Sequence, residues 1–479
     1  MRIKFLAIGL IFLMYSRFVA AAGYTAMQSG NLSDSILITN PNSQNVPTVK
    51  PFSRDTVNRI LGTVPNYLYI PFTNKDLEAA LRNDTAVIGL QKKKQMQMAR
   101  MFAEGKISMG YFNLEYNKVL SYNVYEGLKL GFGGETNRLL SKYFALGGYF
   151  SVGIKNGLFR HGEWVNIFPK GNSDLRIHLS YTDLNREFGG SDFLETPSLL
   201  IPEYYRLLLI NNMYQQKRFT GGFEFKPFKN LSLYLFSDVS ENKANQNTDY
   251  PVIHTFNHLN LTRTGIQMRY TPGKKLRIGE GQLMEGKAPG SDFFLTVIQG
   301  YKALHGDFTY TRAEFKGKFY FPFSKSGNTS IMVRGGIMSP SPPITELFSG
   351  YGSFIGNFTL MSPYSFATMR FNEFAPSKFS AVHLRHDLGP LIFPEKNKSR
   401  PSVIIAQNMG IGELDQENLI RYNLKDFRKG YYESGLEVNN LLKFGSVSWG
   451  LGIYFRYGPC QLPQINDNFA YKFGFYISI

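Results

Sequence analysis

The stretch TYTRAEFKGKFYF, residues Thr309 to Phe321, has two faces. Its odd positions are Thr309, Thr311, Ala313, Phe315, Gly317, Phe319 and Phe321, and its even positions include Arg312, Glu314, Lys316 and Lys318. A period of two with one apolar and one charged face is the signature of a half-buried strand. SVSWGLGIYFRYG, Ser446 to Gly458, repeats it, with Val447, Trp449, Leu451, Ile453, Phe455 and Tyr457 on one side. Shorter examples are Leu128 to Phe132, Phe150 to Ile154 and Leu175 to Tyr181. Soluble strands average about 5 or 6 residues. These runs are longer and match the ~9 to 11 that cross a bilayer at a tilt. The last segment, Ala470 to Ile479, puts Tyr471, Phe473, Phe475, Ile477 and Ile479 on one face and resembles the targeting strand of outer-membrane barrels. The fold class expected is all-β, a transmembrane antiparallel β-barrel.

Composition agrees. The 479 residues are 43% hydrophobic and 19% charged, and 41 Phe, 29 Tyr and 46 Gly against 2 Trp suit strands, tight turns and interfacial girdles better than helix bundles. Arg2 and Lys4, the apolar run Phe5 to Met14 and Val19-Ala20-Ala21-Ala22 read as an export signal over residues 1–22. Residues 23–106 read as a leader, rich in Ser, Asn, Thr and Pro to about Arg54, followed by a short helical segment at Asn74 to Arg82 and Thr85 to Glu104. The barrel is then 107–479. Beyond the signal the longest apolar stretch, Ser198 to Met213, is interrupted by Pro202, Glu203 and Arg206, so spanning helices are not expected. The single cysteine, Cys460, excludes an internal disulfide. Net charge is +17, and removal of Arg2, Lys4 and Arg17 with the signal leaves +14. In an exported barrel that excess points to a polar lumen and anionic lipid head groups, with outer-membrane lipids as partners and no nucleic acid.

Connection lengths test the topology, because such barrels have short periplasmic turns and longer outer loops. Lys443 to Gly445 and Ser324 to Asn328 are short, Gly389 to Arg400 is intermediate, Gly410 to Tyr431 is long and Gly336 to Ser377 is the longest. Before residue 300 the alternation slips: a short turn at Thr271 to Lys274 and a long stretch from Glu241 to Asn260 imply a strand not counted. The span from Ile107 to Ile479 accommodates about 16 strands, within 12 to 18, and the longest loop then joins strands 11 and 12.

Three blocks carry a resemblance. The first holds Tyr122-Asn123, Glu126-Gly127 with Leu128 to Leu130, Gly133-Gly134-Glu135-Thr136-Asn137 and Gly148-Tyr149. The second holds Ser365-Phe366, Met369, Asn372-Glu373-Phe374, Ser377 and the strand Phe379 to Asp387. The third holds Gly430-Tyr431, Glu433-Ser434-Gly435, Asn439 to Leu442, Arg456-Tyr457-Gly458, Asn468 and Lys472. In these blocks, over about three quarters of its length, the chain resembles a family of outer-membrane barrels widespread in Bacteroidota, whose longer members carry a carboxypeptidase-regulatory-like domain first. Where that family places an Asp before the strand at Phe379, this chain has Pro376-Ser377-Lys378. The family is similar in layout to barrels of the BamA and TamA type, in which the corresponding loop enters the lumen with a Val-Arg-Gly-aromatic tip. Here Val333-Arg334-Gly335 precedes the loop on a strand, and Gly336 stands in place of the aromatic. The resemblance implies insertion by the barrel-assembly machinery and a role in envelope biogenesis, by export or insertion of protein or lipid.

Period two puts His383, Arg385 and Asp387 on one face, opposite Val382, Leu384 and Leu388. Arg385 and Asp387 are therefore expected inward, and Glu373 to pair with Arg385 or Arg334 and latch the loop; the plainer reading is ordinary lumen lining. Glu433 and Glu437 share a face, again inward. His383 and His386 fall on opposite faces, so no metal site is expected. Seven scattered His residues without a Gly-x-Ser-x-Gly elbow argue against an outer-membrane hydrolase. Gly131 to Gly134 lack the Lys and helix of a phosphate loop. The expectation is a barrel without enzymatic activity or cofactor, with a solute channel as the rival reading.

Overall fold

The alternating segments pair in chain order. The computed structural model describes residues 105–477 apart from 172–173, 196, 199–200, 229, 246–257, 273–275, 280–281, 286–290, 324–326, 340–341, 357, 390–400, 416–423 and 445–446. The export signal, the leader and the helical segment lie outside the described residues.

The wall begins with a hairpin, β1 (Lys106–Met109) and β2 (Phe112–Glu115), then one turn of helix α1 (Tyr116–Val119) and β3 (Leu120–Asn123). β2 and β3 both pair with β4 (Gly127–Thr136) and so make one interrupted first strand. Gly133 makes room for the interruption: a Cβ there would lie 2.9 Å from that of Lys118 in α1. The wall continues through β5 (Phe144–Gly153), β6 (Phe159–Ile167), β7 (Leu175–Glu187), β8 (Met213–Phe228), β9 (Leu231–Lys243) and β10 (His258–Tyr270). A small hairpin, β11 (Leu276–Gly279) with β12 (Gln282–Glu285), precedes β13 (Asp292–Tyr301), β14 (Tyr310–Phe323) and β15 (Gly327–Met338). After the longest connection come β19 (Lys378–Asp387), β20 (Ser402–Glu413), β21 (Phe427–Phe444), β22 (Val447–Tyr457) and β23 (Phe469–Ile477). Every neighbour pairing along this wall is antiparallel, and counting β2 and β3 as the first strand and leaving out the short flanking β1 gives 16 strands among the described residues, a usual barrel size. The longest connection, 339–377, joins the eleventh to the twelfth.

One expectation is corrected here. The connection from β10 to β13 is not the short turn expected at Thr271 to Lys274, for it carries β11 paired with β12 before β13 pairs with β10. Alternation alone cannot separate a hairpin standing off the wall from a wall strand, because both have period two.

The two faces sort as the pattern requires. Phe132, Phe150, Phe219, Leu235, Ile405, Leu436 and Leu451 are exposed on the outside. Asp238, Arg263, Arg312, Glu314, Glu433, Glu437 and Lys472 are buried on the inside. Inner-face contacts show that the sheet wraps round. Ser191 and Glu195, in the connection after β7, bond Glu314 and Lys316 on β14. The 339–377 loop is held both by Arg263 on β10 and by Lys472 on β23. A charged interior within an apolar, lipid-facing wall is the arrangement of a transmembrane barrel.

Candidate functional site

The 339–377 loop forms three short strands, β16 (Gly352–Phe354), β17 (Phe358–Leu360) and β18 (Phe366–Arg370). β16 and β18 pair in parallel with each other. Glu346, Phe348, Ser353, Phe366 and Met369 are fully buried although they belong to a connection. A loop without its own core can be buried only if something else satisfies its backbone and charges. Here the wall does so at three places.

The first is ionic. Glu346 accepts from Arg263 Nη1 (3.1 Å) and Arg312 Nη1 (3.3 Å), and Arg263 also forks onto Asp238 at 2.9 Å on both oxygens. Burial by itself raises the carboxyl of Glu346, but the two guanidiniums outweigh it and hold it below the usual range. The approach depends on Gly189 at the end of β7, whose φ is +66° and where a Cβ would lie 2.2 Å from the Leu347 carbonyl oxygen. A carboxylate depressed in this way contributes stability above its unfolded value, about pH 4.3, and the contribution is lost as pH falls through the lower folded value. The loop is therefore expected to stay pepsin-resistant between about pH 5 and 4.5 and to become cleavable only below that range. Release at higher pH would contradict the assignment.

The second latch is Glu433 on β21. Its Oε1 accepts the Ala367 N–H (2.7 Å) and the Asn408 amide (2.7 Å), and its Oε2 accepts the Thr368 N–H (2.9 Å) and hydroxyl (2.5 Å). His383 Nδ1 lies 3.0 Å from Asn408 Oδ1, and its ring packs on Phe366 of the loop at 4.8 Å. The side chains of β19, β20 and β21 thus form one inner shelf under β18.

The third lies at the edge of the sheet. β17 runs parallel to β23, with Phe358 opposite Tyr471, Thr359 opposite Lys472 and Leu360 opposite Phe473. The Met361 N–H donates to the Phe473 carbonyl at 2.8 Å. Lys472 Nζ donates to Thr359 Oγ1 (2.7 Å) and to the Ser353 carbonyl (3.0 Å). Among the described residues no backbone ladder joins β23 to β2 or β3, and the stretch Tyr471 to Phe473 of the last strand's second edge is paired with the loop. Phe358 and Tyr471 are both exposed on the outer side, so β17 completes part of the wall.

The expected Glu373 pairing is corrected. Glu373 follows β18, accepts the Arg370 N–H at 2.9 Å and pairs with Arg456 of β22 at 2.8 Å. Arg385 points inward but is gripped bidentately by Glu437, whose other neighbour is the Tyr454 hydroxyl. Ala406 on β20 and Gly435 on β21, cross-strand neighbours of Arg385 in the register, are too small to block that reach. Arg334 also points inward; its guanidinium stacks on Tyr351 of the loop at 3.6 Å and donates to Ser191 (3.1 Å), with Glu314 at 3.7 Å. Asp387 caps the Gly389 N–H at the end of β19 and takes no part. Of the five residues singled out, Arg334, His383 and, over the Tyr364 ring at 5.8 Å, Arg385 meet the loop through rings, and Glu373 belongs to it.

Sequence reasoning missed Glu346, Arg263, Arg312 and Lys472 as the holding groups. Arg312 was visible as an inward charge, and Glu346 as an acid within the apolar run of the loop, but period two ranks neither. The motif residues Asn123, Glu126, Gly127, Thr136, Asn137 and Asn468 lie at strand ends and turns, and Gly134 lies within β4 between Leu114 of β2 and Gly148 of β5. The Asn123 and Glu126 side chains bond each other in the turn before β4 (2.6 Å), the Thr136 hydroxyl takes the Leu146 N–H (2.9 Å), Asn137 holds the Gly110 carbonyl (2.6 Å), and Asn468 holds the turn before β23 (2.7 Å). Phe374 packs against Phe427 and Tyr431.

Fold and site together define a transmembrane antiparallel β-barrel whose lumen holds its own longest loop. No protein-family model and no curated sequence matches the chain. Among solved structures it is similar to BamA from Haemophilus ducreyi lacking POTRA domains 1-3, at 12% identity over 74% of this chain and 68% of that one, TM-score 0.45. It is also similar to CdiB from Escherichia coli, at 8% identity over 74% of this chain and 60% of that one, TM-score 0.41. Outer membrane protein OprD from Pseudomonas aeruginosa is a third, at 11% over 73% and 87%, TM-score 0.31. The chain thus spans less than two thirds of CdiB, and these likenesses concern the barrel fold alone.

Proposed function

We propose that the chain is an outer-membrane barrel acting in envelope biogenesis, passing or inserting protein or lipid at the seam between its first and last strands, with the 339–377 loop as the moving part. The observation that carries this reading is the pairing of β17 with β23. A barrel built only to be a static wall closes by pairing its last strand with its first, which leaves no edge. Here part of that edge is covered by three residues of a loop, a far shorter ladder than any between neighbouring long strands, and therefore the first to part. Opening requires the loop to leave β23, and Glu433, Glu346 and Lys472 set the cost. The chemistry needs no bond to be made or broken; the action is displacement of one strand from an edge.

Deletion of the gene, followed by quantitative comparison of outer-membrane proteins and lipids, tests the role: depletion of a defined set of either is expected, and no change in both would reject it. A selective solute channel is the second reading, favoured by the inward guanidiniums of Arg263, Arg312 and Arg334. A steady, ion-selective conductance of the wild-type chain in planar bilayers would support the channel against the seam.

A further inference from the structure

Among the described residues the seam has no backbone ladder between its first and last strands, yet both of its banks are bonded to one other piece of chain. That piece ends the connection 188–212 between β7 and β8: a single 3-10 turn, Pro202–Tyr205, and one turn of helix, Arg206–Leu209. Tyr205, Arg206, Leu208, Leu209 and Ile210 are all buried. On the first-strand bank, the Ile210 carbonyl accepts the N–H of Tyr125, two residues beyond β3, at 3.0 Å, and the helical turn packs on β3. On the last-strand bank, the Glu203 carbonyl accepts the Ser362 hydroxyl at 3.2 Å. Ser362 follows Met361, whose N–H is held by Phe473 of β23. Between the two, Arg206 Nε donates to the Gly352 carbonyl at 2.9 Å, beside the Ser353 carbonyl that Lys472 of β23 holds.

We propose that residues 203–210 are an internal strap, tying the first strand to the 339–377 loop across the seam, and that the seam opens only after the strap has left. The strap is itself anchored. Arg206 Nη1 donates to Glu187 at the end of β7 (2.7 Å), and its guanidinium lies between the rings of Tyr351 and Phe371 at 4.4 and 4.6 Å. Upstream, the connection is held by successive inward residues of β14: Ser191 donates to Glu314 (2.6 Å), Glu195 pairs with Lys316, and Glu203 pairs with Lys318 (2.9 Å). The Tyr204 hydroxyl donates to Glu195 at 2.9 Å, so the rung of Glu195 with Lys316 reaches the strap directly. An edge held by a three-residue ladder thus has a second restraint, made of buried hydrogen bonds that must all part together. Coupling between contacts is reciprocal: whatever detaches the strap loosens both banks, and whatever detaches the loop loosens the strap. The consequence for opening rests on the seam reading, whereas the strap is tested without reference to cargo or envelope composition.

The full chain carrying Cys460→Ser receives one reporter thiol, Val124→Cys on the first-strand bank or Met361→Cys on the loop bank, both at buried positions. A water-soluble maleimide applied to isolated outer membranes reads their exposure. Glu195→Lys sets two lysines against each other at the rung, and the bonds of that rung reach neither bank. Labelling at both positions is expected to rise several-fold, with the heat-modifiable barrel band retained. The exchange Glu195→Lys with Lys316→Glu is expected to return both to the wild-type rate. Glu195→Gln, which removes the charge without opposing it, serves in place of Glu195→Lys if the folded band is lost. Glu433→Ala, which frees the loop directly, is expected to expose Val124→Cys as well. A rise at one bank alone, no rise at either, or undiminished labelling in the exchange would overturn the strap.

Discussion

Glu433→Ala is expected to free the 339–377 loop while leaving the barrel wall intact. The substitution strips the acceptor from the Ala367 and Thr368 N–H groups and from the Asn408 amide, all buried. Each orphaned buried donor costs about 1–3 kcal/mol, and Asn408 keeps the Ser365 carbonyl, so the loss of the Ala367 and Thr368 acceptor weakens the loop's docking by about 2–6 kcal/mol if the two add. That is enough to move the loop from bound to largely displaced. The wall ladders of β21 with β20 and β22 use backbone groups and do not depend on this carboxylate. The expected readout is protease cleavage within the loop in membranes where the wild type is protected, with the heat-modifiable barrel band retained on gels. Glu433→Gln keeps an acceptor and should fall between the two. Full protection in Glu433→Ala would show that the carboxylate is lumen lining and no latch.

Arg385→Ala is the second large effect. It leaves Glu437 buried without its cation, and breaking one side of a buried pair costs about 3–5 kcal/mol. Glu437→Ala leaves Arg385 in the same condition. The double exchange, Arg385→Glu with Glu437→Arg, restores the pair and should recover most of the loss, measured as the temperature at which the folded band disappears. Exchange of Arg385 with Glu373 should recover nothing, because Glu373 is committed to Arg456. Recovery by the Glu373 exchange would overturn the assignment.

These two cases show how far the sequence could be read. The alternation through Thr309 to Phe321 named the membrane face of β14 correctly, because lipid on one side and a polar lumen on the other impose period two on every residue between. Connection lengths placed the longest loop between the eleventh and twelfth strands. The pairings inside the lumen were beyond that reading. Period two states that Arg385 points inward, but its partner depends on which neighbour is small enough to reach across, and Ala406 and Gly435 decide that only once the register is known. Glu433 was legible as an inward charge and as part of a family motif. Its task was not, since the groups it holds are backbone N–H donors of a loop 65 and 66 residues away in the chain. The parallel contact of β17 leaves no mark in local pattern at all, because three residues carry no periodicity.

The central claim is that β17 must leave β23 for the chain to work, and a reversible lock tests it most directly. Phe358→Cys with Tyr471→Cys, in the Cys460→Ser background, places two thiols at partnered positions on the outer side of the seam. Ile405→Cys with Leu436→Cys, a partnered pair within the wall, is the control. Under oxidation the first pair is expected to reproduce the outer-membrane defect of the deletion and to recover on reduction, while the control stays as wild type. Normal envelope composition with the β17 lock fully formed would contradict the account.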